Sequence, residues 1–472
     1  MKSPKVLYTY LMFATSGVVT SAAYAQSPLT ADSLPASYQE YHDELKVTEA
    51  EKADDCSEWW RDFGDTNLNS LEELAIKNNY NLKAALKRID ASREMLRGVY
   101  AGYSPVVNLQ AGYEYSKDSG RETKPYTSIS PSSFFNVGAS MSWEIDVFGR
   151  IREKAKSSKI NIDISKLDYD SFILSLTAEV ANDYGALCLY YQQLKVAKAH
   201  LKSQIELLDM IKSRYEAGLV SKLDVAQAEN TVNSTRLRIP VLEAQQETMK
   251  NALALLCGST PEEVVSLLTA ESQPTLQMPG MIGKPADLLR QRPDLLKAER
   301  QIDALAANLG IAKKDYLPSL TLDASIGTSA HNIGDLFGKQ SLNYSVTPTL
   351  TWTLFEGLAR RSNIAEIRAE MEAEIETYNN TVLTAINEVD NAIINYNKAI
   401  EELSLYDQVL ATSREMLILS IERYKLGLVA FSDVATAQTT YLTYQTSLLT
   451  ARNGCYNSIV SLYKAIGGGY QQ

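Results

Sequence analysis

The residue types that most often carry chemistry are few and scattered in this sequence. The three histidines, His42, His200 and His331, stand far apart. None has a second ligand or a nucleophile at the spacing that a metal site or a catalytic triad requires. The four cysteines, Cys56, Cys188, Cys257 and Cys455, form no C-x-x-C pair, so neither a zinc site nor a disulfide framework is expected. Cys188, in GALCLYY, reads as a small core residue. Glu144 and Asp146 are neighbouring acids, but no helper group or cofactor motif accompanies them. The expectation is therefore no catalytic residue, no metal and no cofactor. The 472-residue chain carries a formal charge of −11 and no basic tract, which makes nucleic acid a poor partner.

What recurs is a phrase. RYEAGLVSKLDVAQAE (Arg214 to Glu229) returns as RYKLGLVAFSDVATAQ (Arg423 to Gln438). Tyr103-Ser104-Pro105 matches Tyr316-Leu317-Pro318, and NVGASMSW (ending at Trp143) matches SVTPTLTW (ending at Trp352), in the same order. A period of about 210 residues is too long for a solenoid and reads as tandem duplication.

Each half holds two stretches of strict alternation. Val107, Leu109, Ala111, Tyr113 and Tyr115 alternate with polar residues, as do Val137, Ala139, Met141, Trp143 and Ile145. Leu320, Leu322, Ala324 and Ile326 do the same, followed by Val346, Pro348, Leu350, Trp352 and Leu354. Alternation over about ten residues is the pattern of a tilted membrane strand, though a half-buried soluble hairpin alternates too. Tyr103, Trp143, Phe148, Tyr316, Trp352 and Phe355 are candidate membrane-interface aromatics.

The rest is helical in pattern. Ile173, Leu176, Val180, Tyr184, Leu187, Tyr191 and Leu194 step by three and four, a coiled-coil-like seam. Ile151 to Glu216 and Leu358 to Lys425 predict rods of about 100 Å. Ser221–Cys257 (~55 Å) and Ala286–Lys314 (~43 Å) together equal one rod, as do Leu68–Tyr100 (~50 Å) and Asp433–Ile466 (~51 Å). Short helices stacked end to end beside the long ones give four rod equivalents per chain. Pro240 is a candidate kink. Four strands cannot close a membrane barrel, so other copies must complete it: three give twelve strands, two give eight.

The repeated phrase falls where a long helix turns back. Gly218 and Gly427 read as helix stops, and Ser221 and Ser432 as caps of the returning helices. Leu219, Val220, Leu428 and Val429 are then exposed apolar residues at two distal tips, a pattern that points to contact with another protein. At the start of the chain, residues 1–25 read as a secretory signal: Lys2 and Lys5, a short apolar core, and Ala23-Tyr24-Ala25.

With these features in order, the chain resembles the TolC-like outer-membrane factors, in particular the NodT-type subfamily of efflux channels. WWRDFGDTNLNSL (Trp59 to Leu71), LLRQRPDLLKAERQIDALAANLGIAKKDYLPSLTLDASIG (Leu288 to Gly327), WEIDVFGRIR and WTLFEGLARR carry the resemblance together with the two tip phrases. It implies a mixed α and β fold: an outer-membrane β-barrel of four strands per protomer, twelve in a homotrimer, continuous with a long periplasmic α-helical barrel. The implied division is a signal at 1–25, an equatorial segment at 26–67, a first repeat at 68–258, a linker at 259–285, a second repeat at 286–466 and a tail at 467–472. The implied function is passive export of small molecules, received from an inner-membrane transporter of the RND type through a periplasmic adaptor, across the outer membrane of a Gram-negative cell. Adaptors of such proteins meet Gly218, Leu219, Val220, Gly427, Leu428 and Val429.

Two departures from the family pattern stand out. Relatives close their channel with a Leu and, four residues on, an Asp; Ser432 and Thr436 stand there instead. Asp433 is the nearest acid, with Leu223 and Asp224 at the related place in the first copy, and a first-turn carboxylate also suits a helix dipole. Many members carry a lipid-modified Cys at the cleavage site, whereas here that position is Gln26, so no lipid anchor is expected. A protein-secretion channel and a structural periplasmic coiled coil are the competing readings.

Overall fold

The computed structural model describes residues 28–30, 34, 58–117, 119, 131–268 and 291–468. The expected signal, Cys56, most of the segment up to residue 57, most of the 259–285 linker, the start of the helix expected from Ala286 and the last four residues lie outside the described residues.

A 3-10 turn, Trp59–Phe63, leads into α1 (Thr66–Asn78) and α2 (Tyr80–Ala101). Strands β1 (Val106–Ser116) and β2 (Ser132–Ile145) follow, then α3 (Arg150–Glu216), α4 (Lys222–Leu256) and the short α5 (Pro261–Leu267). The second half runs α6 (Pro293–Lys314), β3 (Ser319–Ala330), β4 (Leu342–Thr351), α7 (Ala359–Lys425) and α8 (Phe431–Ala465). The duplication is exact in helix length: α3 and α7 have 67 residues each, α4 and α8 have 35, and α2 and α6 have 22. The long pair are rods of about 100 Å.

Three expectations need correction. Leu68–Tyr100 is not one helix. Asn79 leaves helical geometry, its Oδ1 accepts the Leu82 N–H at 3.0 Å and its Nδ2 donates to the Leu256 carbonyl at 2.8 Å. A side chain that caps the next helix ends the previous one. The end-to-end stacking is also paired differently from the summed lengths. Asn79 ties the start of α2 to the end of α4, and Arg292 at the start of α6 donates to the Ala465 carbonyl at the end of α8 at 2.8 Å. Each repeat therefore stacks its own short helices. Finally, β4 ends at Thr351, so Trp352, Leu354 and Phe355 lie beyond it. Ser319, where β3 begins, pairs with Thr351 and leaves nothing for later residues to pair with. Helix α4 continues through Pro240.

The apolar residues gather in two cores. The larger lies at the middle of the rods, where Trp59, Trp60 and Phe63 meet Leu68 and Leu71 of α1, Val180, Tyr184 and Leu187 of α3, Val389 and Ile393 of α7, and Tyr456, Ile459 and Tyr463 of α8. The smaller lies at the distal tips and joins Leu207, Leu208 and Ile211 of α3 to Tyr424, Phe431 and Val434 of the second repeat. Among the described residues no helix is long and apolar enough to cross a membrane.

Candidate functional site

The four strands form one antiparallel sheet in the order β1-β2-β3-β4. Its register converts the alternation into two faces, because directly paired residues share a face. Val107, Met141, Ala324 and Val346 form one cross-sheet row, and Leu109, Ala139, Ile326 and Tyr344 another. Between them runs the row Asn108, Ser140, Ser325 and Ser345, and beyond lies Gln110, Gly138, Gly327 and Asn343. One face is thus apolar from edge to edge and the other polar. Both outer strands have an unpaired side, and Pro348, which has no N–H to donate, sits on an outer strand as the chemistry requires.

The aromatics expected at the membrane interface cluster at the strand–helix boundary. The Trp143 indole donates to the Tyr103 carbonyl at 2.9 Å, and Trp352 donates to Tyr316 at 3.0 Å. The same clasp in both repeats satisfies the one polar group of each indole and leaves the ring body free. Phe148, Trp352 and Phe355 are exposed in the single chain. Glu144 and Asp146 are both engaged here. Glu144 holds Arg150 bidentately at 2.7 and 2.9 Å, and Asp146 accepts the N–H groups of Ile151 and Arg152 at 3.0 Å each. They fasten the first turn of α3. In the second repeat Leu358 caps α7 at φ +68°, a left-handed geometry that strains a bulky side chain by about 1–2 kcal/mol. Gly149 stands at that place in the first repeat.

At the distal end the two phrases form nearly superposable turns. Gly218 and Gly427 both have φ +73°. Each donates its N–H three residues back, to the Tyr215 and Tyr424 carbonyls, while Leu219 and Leu428 donate five residues back to Arg214 and Arg423, all at 2.9–3.0 Å. This is a Schellman stop, whose left-handed residue favours glycine. Leu219 and Leu428 are 67% and 64% exposed. Val220 and Val429 are not exposed as expected; they are half-buried against the shared tip core, because the chain turns back toward the helices after each glycine. Leu426 and Leu223, 74% and 65% exposed, extend the apolar surface instead.

The returning helices start differently. Ser221 caps α4 in a reciprocal box: its Oγ accepts the Asp224 N–H at 3.2 Å, and Asp224 Oδ2 accepts the Ser221 N–H at 2.9 Å and its hydroxyl at 2.8 Å. In α8 the cap position is Ala430 rather than Ser432, and no side chain caps the helix. Ser432 lies inside the helix, where its carbonyl accepts the Thr436 hydroxyl at 2.8 Å. The buried Phe431, edge-on to Tyr424 at 5.6 Å, anchors this start by packing. Asp433 is exposed, so the two copies of this acid have different surroundings: one is bound into a cap, the other is not.

Sequence reasoning passed over two groups. Arg214 spans the two hairpins, its guanidinium 5.4 Å from the Tyr424 ring centroid and its Nη atoms 3.5 and 3.4 Å from the Tyr424 and Lys425 carbonyls. At mid-height, Tyr184 and Tyr463 donate to Asp65 and Asp62 at 2.7 and 2.6 Å, and Trp59 stacks on Tyr463 at 5.1 Å. The chain before α1 is thereby strapped to one helix of each repeat. Only the repetition of Arg-Tyr in the phrases could have signalled the first contact; no pattern in the sequence signals the second.

A sheet with one apolar face, joined to hairpins about 100 Å long, is the architecture of outer-membrane channels. The solved structure of the outer-membrane channel OprN matches with a TM-score of 0.80 at 27% identity, covering 96% of this chain and 99% of that one. Residues 71–259 and 285–468 match the outer membrane efflux protein family, and the chain belongs to that family. The pyoverdine export outer membrane protein OpmQ of Pseudomonas aeruginosa is 30% identical over 89% of each chain. Nodulation protein T of Rhizobium leguminosarum bv. viciae is 30% identical over 88% of this chain and 84% of that one. The protein is an efflux channel component of the outer membrane.

Proposed function

We propose that three copies of this chain close a twelve-stranded barrel in the outer membrane and a continuous helical barrel in the periplasm, forming a passive duct for small molecules. The observation that carries this reading is the four-stranded sheet with two unpaired edges and one apolar face. Closure with other copies satisfies the edges, and the apolar rows then face lipid. In this reading the strand-boundary aromatics Tyr103, Trp143, Phe148, Tyr316, Trp352 and Phe355 sit at the periplasmic lipid–water interface. The chain itself performs no reaction. Transport energy comes from an inner-membrane transporter, reached through a periplasmic adaptor that docks on Gly218, Leu219 and Val220 and on Gly427, Leu428 and Val429. The exposed Leu219 and Leu428 supply its apolar contacts, while the half-buried Val220 and Val429 hold them in place. The transported molecule follows from the partner transporter.

Asp433 is the gate acid of this reading, with Ser432 and Thr436 beside it on the exposed face of α8. Asp224 is committed to its cap, so it contributes with Leu223 to the shape of the constriction rather than as a free charge. The test is single-channel recording in a planar bilayer. A trimeric species with ion conductance is expected, and Asp433→Ala should raise the open probability or change cation selectivity. A chain that is monomeric and non-conducting would overturn the duct, and unchanged currents in Asp433→Ala would remove Asp433 from the gate.

A further inference from the structure

The contact made by Arg214 uses only half of what the duplication provides. Arg214 and Tyr215 end α3, and Arg423 and Tyr424 end α7, in the same turn with the same φ and the same hydrogen bonds. Within one chain, Arg214 of the first hairpin lies over Tyr424 of the second and points at the Tyr424 and Lys425 carbonyls. The reciprocal pair, Arg423 and Tyr215, is exposed, and Tyr215 is 44% accessible although its counterpart Tyr424 is buried. One chain thus presents an arginine at one side of its tip pair and a matching tyrosine at the other.

We infer that Arg423 of each copy lies over Tyr215 of the next, so that one Arg–Tyr clasp recurs all the way round the distal ring, alternately within and between chains. This inference rests on the trimeric reading above and assigns the residues that seal its lower seam. If first and second hairpins alternate around a closed ring, the step from a second hairpin to the next copy's first hairpin repeats the step seen inside the chain.

Charge supports this arrangement. Inside the chain, Arg214 reaches a helix end whose last residue is Lys425, a like charge. Across the seam, the corresponding residue is Glu216, which attracts Arg423. The interchain clasp therefore adds an ion pair to the cation–π contact and the helix-end carbonyls. Inside the chain, Tyr424 also packs with Phe431 into the apolar core shared by the two hairpins. At the seam Lys222 stands where Phe431 stands in the second tip, so polar contact dominates. A seam held by charge opens more readily than one held by a core, and the opening step of the ring is accordingly assigned to the interchain clasp.

Cross-linking tests the inference. In detergent-solubilised full-length protein, the pair Arg423→Cys and Tyr215→Cys is treated with a short bis-maleimide, with the unmodified chain as background control. Covalent trimers on denaturing gels are expected. The control pair Arg214→Cys and Tyr424→Cys should cross-link within one chain and leave its mass at one monomer. A native trimer in which the first pair yields no interchain product overturns the inference and leaves the trimeric reading standing. Absence of any trimer before cross-linking overturns the trimeric reading itself. A charge swap gives an independent measurement. Arg423→Glu should raise the open probability severalfold, and adding Glu216→Arg should restore it. Failure of the double variant to recover would also overturn the clasp.

Discussion

Among the described residues, Glu72 is an acid buried in an environment at odds with its charge. It is fully buried on α1, and neither carboxyl oxygen has a hydrogen-bond partner. Burial holds its proton well above the ordinary carboxylate range. Within electrostatic reach, the Tyr456 hydroxyl is raised, first by burial and then by Glu72, and the Cys257 thiol is pushed up to about 12 in the same way. An unfolded chain releases the Glu72 proton near pH ~4.3, whereas the folded chain keeps it. The contribution of this group is therefore full below that pH and declines as pH rises toward the raised folded value. Glu72→Gln removes the decline. In thermal unfolding between about pH 5 and 8, the native chain should lose stability relative to the variant by up to about tenfold in the unfolding constant per pH unit. Parallel pH profiles would show that Glu72 is ionised and paired in solution.

At the scale of elements, the two hairpin tips are one design with two different helix starts. α4 begins on a serine–aspartate box, and α8 begins on the packing of Phe431. The sequence places Asp433 three residues after Ala430, the spacing that Asp224 has from Ser221. Ala430→Ser should therefore complete the box and stabilise the start of α8 by about 1 kcal/mol. Amide exchange over Phe431 to Val434 should slow by about fivefold. The same change draws Asp433 into the cap. If Asp433 is the gate acid, Ala430→Ser should reproduce the conductance of Asp433→Ala without removing the acid. The rods themselves are straightforward in energetic terms. Long seams at three- and four-residue spacing bury one side of α3 and α7, and the cores at mid-height and at the tips fasten their neighbours.

For the whole molecule, the two faces of the sheet determine which side meets lipid. Leu109 begins an apolar row on the outer strand β1, and Ser325 lies within a polar row on the inner strand β3. Leu109→Lys should cost about 2–4 kcal/mol at the bilayer midplane and reduce the yield of membrane-inserted protein. Ser325→Lys should insert normally and shift the channel toward anions. Equal insertion of both variants would contradict the assignment of the faces, and membrane fractionation with reversal-potential measurement distinguishes the outcomes.

Much of this organisation was legible in the sequence because it rests on local periodicity. Alternation by two gave the four strands, steps of three and four gave the rods, and the repeated Gly-Leu-Val gave both turns within a residue or two. The family was legible for a related reason, since duplicated landmarks in fixed order leave few alternatives. Tertiary structure decided what depends on meeting across the chain. Asn79 breaks a helix because its side chain finds the end of α4; Val220 and Val429 turn inward because a core shared by two hairpins lies beneath them; Ser432 loses the cap because Phe431 finds Tyr424. Asp224 and Asp433 read alike in the repeated phrase, yet a single neighbouring hydroxyl binds one into a helix cap and leaves the other exposed. Local patterns fix where the chain turns and which face is apolar; the helix break at Asn79 and the inward turn of Val220 and Val429 follow from partners about 200 residues away, which no local pattern encodes.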